Sequence, residues 1–196
     1  MKVFLTGSTG FVGSYVLRAL LEAGHDVRAL VRPGSGRRPP VSTDTVEIVS
    51  GDITDAASLA GAMDGCDAVV HLVGIIREDE RAGVTFESVH LDGARNVIDG
   101  VVEAGVQRFV LMSANGARPR DTAVSAYQWT KYEAEEHLKA SGLDYVVFRP
   151  SVIFGRPAPG QAEFASELTH SLIRTPGPLP LFKPGLPTIA EIVEGG

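Results

Sequence analysis

The strongest structural signal in this chain is the segment Thr6-Gly7-Ser8-Thr9-Gly10-Phe11-Val12-Gly13. A short apolar run, residues 3–5, precedes it, and residues 11–23 follow with apolar side chains at helical spacing until Gly24. A strand, a glycine turn and a helix in this order place unpaired helix N–H groups and a positive dipole end at the turn. Gly7 suits the tight turn, Gly10 a close approach to a pyrophosphate, and Gly13 the contact of helix with strand. The stretch therefore predicts a dinucleotide site.

The rest of the chain alternates strand and helix patterns. Predicted strands cover residues 27–31, 46–49, 68–73, 108–112 and 145–148, and predicted helices cover residues 84–104 and 127–140. The strands are continuously apolar, which indicates a sheet covered on both faces. We therefore predict an α/β fold: a Rossmann-type doubly wound parallel sheet of order 3-2-1-4-5-6 with helices on both faces.

Composition limits the kinds of function. The net charge is −6, which provides no basic field for nucleic acid, so we expect no nucleic-acid partner. Cys66 is the only cysteine, so no internal disulfide can form, and this fits a reducing compartment. No apolar run approaches the roughly 18 residues of a membrane span, and no signal-peptide pattern opens the chain. These observations predict a cytoplasmic protein, and its scattered histidines predict no metal site.

The predicted domains are unequal. Residues 1–155 form the NAD(P)-binding Rossmann domain, whereas residues 156–196 are rich in proline and contain one candidate helix at residues 161–173. We expect this second part to be the remnant of a substrate lobe, either truncated or never complete. Residues 33–42, with two glycines and three prolines, are predicted to be a surface loop.

The three-residue spacing of the glycines resembles that of the extended and atypical short-chain dehydrogenase/reductase (SDR) superfamily. The similarity runs from Lys2 to about Gly155 and includes residues 51–55, 71–76 and 149–155. It is nearest to the atypical branch that includes the NADPH-binding accessory subunit of respiratory complex I. The resemblance and the glycine turn imply a set of cofactor-binding residues: Gly7, Thr9, Gly10, Phe11, Val12, Gly13, Arg32, Asp52, Ile53, Leu72, Val73, Gly74, Lys131, Pro150 and Val152.

A second motif, Tyr127-Gln128-Trp129-Thr130-Lys131, carries the predicted chemistry. An offset of four residues places Tyr127 and Lys131 on one helix face. An ammonium beside a phenol lowers its pKa, so Tyr127 is a candidate proton donor to a carbonyl as hydride arrives from nicotinamide. The resemblance implies that Lys131 also holds the nicotinamide ribose.

Two other positions depart from the SDR pattern. Ser113 lies at the end of the fifth strand, but Asn115 stands where the extended family keeps its catalytic serine, and His90 replaces the tetrad asparagine. Asn115 is a candidate hydrogen-bond donor to an oxyanion. Ser113 is either a catalytic residue or a local cap of backbone groups.

The end of the second strand governs the choice of cofactor. NAD-preferring Rossmann domains place an acid there, whereas this chain has Arg32, with Arg37 and Arg38 soon after. Arginine pairs with a 2′-phosphate, so NADP(H) is favoured over NAD(H). Asp52 is either the acceptor for the adenine amino group or a turn residue. His71, inside an apolar strand, is predicted to be a core histidine.

Three functions remain open from sequence. The first is an NAD(P)H-dependent oxidoreductase that transfers hydride to or from a small carbonyl or alcohol substrate of unknown identity. The alternative is a non-catalytic NADPH-binding module, a redox sensor or an assembly subunit. A nucleotide-sugar epimerase or dehydratase is a third, weaker hypothesis. The resemblance also suggests a homodimer whose interface is formed by the helix after the fourth strand and the helix of Tyr127.

Overall fold

A computed structural model of the protein describes residues 1–41 and 45–156. Six parallel strands form one sheet in the order β3-β2-β1-β4-β5-β6, as predicted. The strands are β1 (Lys2–Thr6), β2 (Asp26–Val31), β3 (Val46–Ser50), β4 (Ala68–His71), β5 (Arg108–Met112) and β6 (Asp144–Phe148). The main helices are α1 (Phe11–Glu22), α2 (Gly93–Glu103) and α3 (Ala126–Ala140), and short 3₁₀ turns cover Ala56–Leu59 and Glu80–Ala82.

Two apolar cores lie on opposite faces of this sheet, because neighbouring residues of a strand point to opposite sides. Leu5 of β1 packs with Leu17 of α1 on one face. Phe4, its neighbour in the strand, belongs to the other core, together with Ile98 of α2 and Leu138 of α3. The prediction of helices on both faces is therefore confirmed.

The predicted helix over residues 84–104 begins later than expected. Val84 instead forms an isolated antiparallel bridge with Asp79, closed by Gly83 at a φ of 68°. A π-helical segment, Glu87–Asp92, then leads directly into α2. This wider π turn carries His90.

The fourth strand is shorter than predicted. It ends at His71, so Leu72 and Val73 lie in the loop after the strand. The reason is local packing against the glycine turn: a Cβ on Gly7 would lie 3.1 Å from the carbonyl carbon of Leu72. The chain therefore leaves the sheet at this point and passes over the turn.

The i,i+4 spacing of Glu135 and Lys139 in the sequence predicts an ion pair on the last helix, and this prediction is wrong. Glu135 is 1% exposed and pairs with Arg149 instead, whereas Lys139 pairs with Glu136 on the surface. The guanidinium of Arg149, directly after β6, donates through Nε to Oε1 and through Nη2 to Oε2 of Glu135, the two parallel hydrogen bonds of an arginine–carboxylate pair.

The structure describes no helix that is long and apolar enough to cross a membrane within residues 1–41 and 45–156. The candidate helix at residues 161–173 and almost all of the predicted second domain lie outside the described residues.

Candidate functional site

The predicted site residues follow the carboxyl ends of the strands, which meet at one edge of a parallel sheet. The glycine turn follows β1, and Arg32 follows β2. Asp52 and Ile53 come after β3, and residues 72–74 after β4. Ser113 and Asn115 follow β5, and Pro150 and Val152 follow β6, while α3 carries Tyr127 and Lys131. The fold therefore gathers these residues at one edge, next to the point where the strand order reverses between β1 and β4.

The glycine turn depends on the missing side chains. Gly7 has a φ of +80°, a conformation that favours glycine, and its carbonyl accepts a hydrogen bond from Gly10 N–H at 3.0 Å. A Cβ on Gly13 would lie only 2.0 Å from the oxygen of Gly7, so α1 can touch the turn only without a side chain there. These are the geometries predicted for Gly7 and Gly13.

The first turn of α1 fits the phosphates of a dinucleotide. Gly10 is the N-cap and no side chain caps this end of the helix, so the N–H groups of the first turn, at Phe11, Val12 and Gly13, face the turn. Ser8 is fully buried in the same turn, and its hydroxyl has no hydrogen-bond partner among the described residues. An uncapped helix end beside an unpaired hydroxyl is a suitable environment for phosphate oxygens.

The segment after β6 returns across the beginning of α1. A Cβ on Gly155 would lie 2.9 Å from the ring of Phe11, and the hydroxyl of Tyr15 donates to the carbonyl of Arg156 at 3.1 Å. Val152, between these contacts and Pro150, is 52% exposed. The segment that ends at Arg156 thus borders the beginning of α1, and the cofactor-binding roles of Pro150 and Val152 stay predictions.

A basic cleft of about 500 Å³ lies between the loop after β2 and β3. Val31 and Ile48 contribute apolar surface, and three arginines line it: Arg32, Arg37 and Arg38. Among the described residues, none of these guanidinium groups forms an ion pair with a carboxylate. The cleft therefore carries uncompensated positive charge at the end of β2.

Asp52 serves as a turn residue. Its Oδ1 accepts from both the N–H and the hydroxyl of Thr54, at 3.0 and 2.9 Å. The role of Asp52 as acceptor for the adenine amino group stays a prediction. The neighbouring Ile53 is 6% exposed and its side chain packs against Gly93, where a Cβ would lie 2.6 Å from Cδ1. The side chain of Ile53 is therefore committed to the core.

Lys131 reaches the edge of the sheet from α3. It is 7% exposed, and its Nζ donates to the carbonyl of Met112 at 3.1 Å. A Cβ on Gly74, which is itself exposed, would lie 3.3 Å from this Nζ. Burial lowers the pKa of Lys131 to about 8.

The predicted lowering of the Tyr127 pKa is wrong for this chain by itself. Burial raises the pKa of Tyr127, whose ring packs edge-on against Phe86 and His90 at centroid distances of 5.5 and 5.2 Å. The hydrogen bond of the Lys131 ammonium is made to Met112. Tyr127 is therefore a protonated phenol at neutral pH.

His90 and His71 are both buried and neutral. Burial lowers the pKa of His71 to about 3, and its Nδ1 lies 2.8 Å from the hydroxyl of Thr6. The prediction of a satisfied core histidine is thus confirmed. His90 is 2% exposed, and burial lowers its pKa to about 2. The two rings differ in their surroundings, since only His90 contacts Tyr127.

Ser113 and Asn115 are not equivalent. Ser113 is buried and donates to Glu135, the carboxylate that also pairs with Arg149. This side-chain bond is not the predicted local cap of backbone groups, and a catalytic role for Ser113 stays a prediction. Asn115 is exposed, and its backbone N–H donates to the carbonyl of Pro150 at 2.8 Å. Sequence reasoning missed Glu135 and Arg149, although their positions one helical turn after Lys131 and directly before Pro150 were a usable signal.

Comparison with known proteins agrees with this geometry. A family model described as NAD(P)H-binding matches residues 7–171. The chain is 28% identical over 180 residues to a Bacillus subtilis protein named as an uncharacterized sugar epimerase, YhfK, covering 88% of this chain and 82% of that protein. It is 38% identical over 179 residues to the 3-beta-hydroxysteroid dehydrogenase of Mycolicibacterium neoaurum, covering 79% of this chain and 48% of that enzyme.

A solved structure shares the fold. The Bordetella bronchiseptica enzyme WbmH, in complex with NAD⁺, superposes with a TM-score of 0.68 at 29% identity, covering 81% of this chain and 58% of that one. Apart from the Bacillus protein, the chain spans about half the length of the curated relatives that it matches.

Proposed function

The chain belongs to the NAD(P)H-binding family of atypical short-chain dehydrogenases/reductases, and on that basis we propose that it is an NADPH-dependent oxidoreductase acting on a small carbonyl substrate. The observation that carries the proposal is the buried Lys131 ammonium, which lies directly beneath the exposed Gly74 at the open edge of the sheet. Among residues 1–41 and 45–156, the only hydrogen-bond acceptor of this ammonium is the carbonyl of Met112, and such a buried cation is costly unless it serves a ligand.

Different residues of the chain would bind the cofactor and protonate the substrate. The α1 N-terminus and the glycine turn would hold the phosphates, and Lys131 would hold the nicotinamide ribose. The cofactor supplies the hydride. Tyr127 gives the proton of its hydroxyl to the substrate oxygen, and its raised pKa keeps that proton in place at neutral pH. This protonation state favours carbonyl reduction over alcohol oxidation, because oxidation needs a phenolate as base.

The basic cleft supports NADPH over NADH. Arg32, Arg37 and Arg38 line one cleft at the position where a dinucleotide presents its adenosine ribose. An arginine bound to a 2′-phosphate through two hydrogen bonds gains affinity that the 2′-hydroxyl of NADH cannot match. WbmH was solved with NAD⁺, so the preference needs a direct measurement in this chain.

A non-catalytic NADPH-binding module is the second candidate. The hydroxyl of Ser113 donates to Glu135, and Lys131 does not lower the pKa of the Tyr127 phenol in the chain alone. Both observations suit a protein that holds the cofactor without turnover. A nucleotide-sugar epimerase or dehydratase is the weakest candidate, and the name of the Bacillus relative is its main support.

Two expectations remain predictions. One is a cytoplasmic location. The other is a homodimer through α2 and α3, for which the exposed Val102 of α2 offers apolar surface. Light scattering of the purified chain tests the second.

Titration of the purified chain with NADPH, and separately with NADH, tests the proposal first. Tight NADPH and weak NADH binding supports it, and no binding of either overturns it. Oxidation of NADPH is then followed at 340 nm across small aldehydes and ketones. Tyr127→Phe should bind NADPH as the wild type does and lose turnover. Equal turnover in this variant removes Tyr127 as the proton donor, and no turnover with any carbonyl favours the non-catalytic module.

A further inference from the structure

The side chain of His90 links the loop after β4 to α3. Its Nε2 lies 2.9 Å from the backbone nitrogen of Ile75, and its Nδ1 lies 3.5 Å from the hydroxyl oxygen of Thr130. Ile75 belongs to the loop that carries Gly74, and Thr130 is the neighbour of Lys131 on α3. One ring therefore joins the two segments that the proposed function requires.

The partners of the ring determine where its proton lies. A backbone N–H can only donate, so Nε2 accepts from Ile75 and carries no proton. The proton of the neutral ring is then on Nδ1, directed at the hydroxyl of Thr130. That hydroxyl donates in turn to the carbonyl of Ala126 at 2.7 Å. Every donor in this series of hydrogen bonds, from Ile75 through His90 and Thr130 to Ala126, has an acceptor. The pKa of His90 is low, first because of burial and then because of the Lys131 charge, and this keeps the ring neutral.

The same ring borders both reactive side chains. A Cβ on Gly74 would lie 3.5 Å from Nε2 of His90 and 3.3 Å from Nζ of Lys131, so the three groups converge. Because Ile75 occupies the lone pair of Nε2, that lone pair is not available to the ammonium. On its other side the ring meets Tyr127 edge-on, with the planes 84° apart.

We propose that His90 is a positioning residue, whose Nδ1-protonated ring holds the Gly74–Ile75 backbone and the ring of Tyr127 in one arrangement. The ammonium of Lys131 thereby keeps its remaining donors for the ligand, and Tyr127 keeps its hydroxyl for the substrate. The proposal rests on the proposed function, because that function assigns the ligand of Lys131 and the substrate of Tyr127. An asparagine, which the SDR resemblance places here, offers one acceptor but no ring, so it cannot make both contacts.

The first test needs no ligand. Nitrogen-15 NMR of the histidine rings should show His90 with a protonated Nδ1 and a bare Nε2, without titration between about pH 5 and 9. The His90→Gln variant identifies the signal by its loss. A proton on Nε2, or a charged ring near neutral pH, overturns the proposal.

Two variants separate the two contacts. His90→Gln retains an acceptor for Ile75 but loses the ring, whereas His90→Phe retains the ring and leaves the Ile75 N–H unsatisfied. His90→Phe removes the hydrogen bond that fixes the loop at Ile75, so it should weaken NADPH binding by about tenfold, and His90→Gln should restore most of it. The ring NMR signals of Tyr127 should move in His90→Gln and remain near their wild-type positions in His90→Phe.

The matched control is His71→Phe, which replaces an equally buried histidine that contacts neither Tyr127 nor Ile75. It should lower thermal stability and leave the Tyr127 signals in place. If both His90 variants lose stability alike and the Gln variant restores no binding, His90 is structural only. If the wild type binds no NADPH, the proposed function fails. The position of the His90 proton and the NMR signals of Tyr127 then still test whether His90 is a positioning residue.

Discussion

Replacing Gly13 by alanine should displace α1 from the glycine turn. The new Cβ would lie 2.0 Å from the carbonyl oxygen of Gly7, which falls 1.0 Å short of the 3.0 Å that a real Cβ tolerates. The three nearest atoms, the carbonyl oxygen and carbon of Gly7 and the Cα of Ser8, are all backbone atoms, so no side-chain rotation relieves the overlap. A hydrogen bond of about 2.9 Å from the helix N–H groups to a phosphate would lengthen by a similar amount, beyond the useful range.

The magnitude follows from two opposing terms. Alanine gains about 1 kcal/mol in helix propensity over glycine, whereas overpacking costs about 1–3 kcal/mol. We expect Gly13→Ala to reduce the free energy of unfolding by about 1 kcal/mol and to weaken NADPH binding by at least about tenfold. Urea denaturation and fluorescence titration measure the two effects.

Gly100→Ala is the matched control. Gly100 is also a helical glycine, but its new Cβ would meet Cε of Met63 at 2.6 Å, the end of a flexible side chain that can rotate away. This variant should bind NADPH as the wild type does. If Gly13→Ala binds equally well, the turn does not hold the phosphates and the argument from the glycine cradle is refuted.

Three further predictions concern charges. Lys131 loses its proton near pH 8 when folded and near 10.5 when unfolded, so the unfolded state binds more protons in this window and stability rises with pH there. Lys131→Met should be more stable than the wild type at pH 7, by up to about 3 kcal/mol, and this advantage should nearly vanish by about pH 11; an advantage that is constant with pH contradicts the buried ammonium. Glu135→Ala leaves the buried hydroxyl of Ser113 without its acceptor and Arg149 without its carboxylate, so the urea midpoint should fall by the equivalent of about 2 kcal/mol. An unchanged midpoint would show that the Glu135–Arg149 pair does not contribute to stability. Arg37→Glu should weaken NADPH binding by about tenfold or more without affecting NADH, whereas equal losses for both cofactors would place the arginine away from the 2′-phosphate.

Much of the fold was predictable because its signals are local. A strand, a glycine turn and a helix are written in consecutive residues, and the alternation of strands and helices limits the topology to a parallel sheet. The strand order was confirmed in full. The errors lie at boundaries, as at β4, where contact between the glycine turn and Leu72 ends the strand two residues early.

The site was predictable in position but not in electrostatics. Helical spacing alone places Tyr127 and Lys131 on one face of α3, and the structure keeps them there. The direction of the Tyr127 pKa was not predictable, because it depends on Phe86 and His90, which come from a distant part of the chain. A neighbouring ammonium in sequence does not guarantee an electrostatic partner in space.

The α/β architecture, the glycine turn and the gathering of candidate residues at one edge of the sheet are readable in the sequence, since they follow from periodicity and from the sterics of glycine. Three features needed the three-dimensional structure: Glu135 binds Ser113 and Arg149, Lys131 is buried beneath Gly74, and the ring of His90 accepts a hydrogen bond from Ile75. The physical reason is that burial and hydrogen-bond partners arise between residues far apart in the chain, and these set charge and protonation.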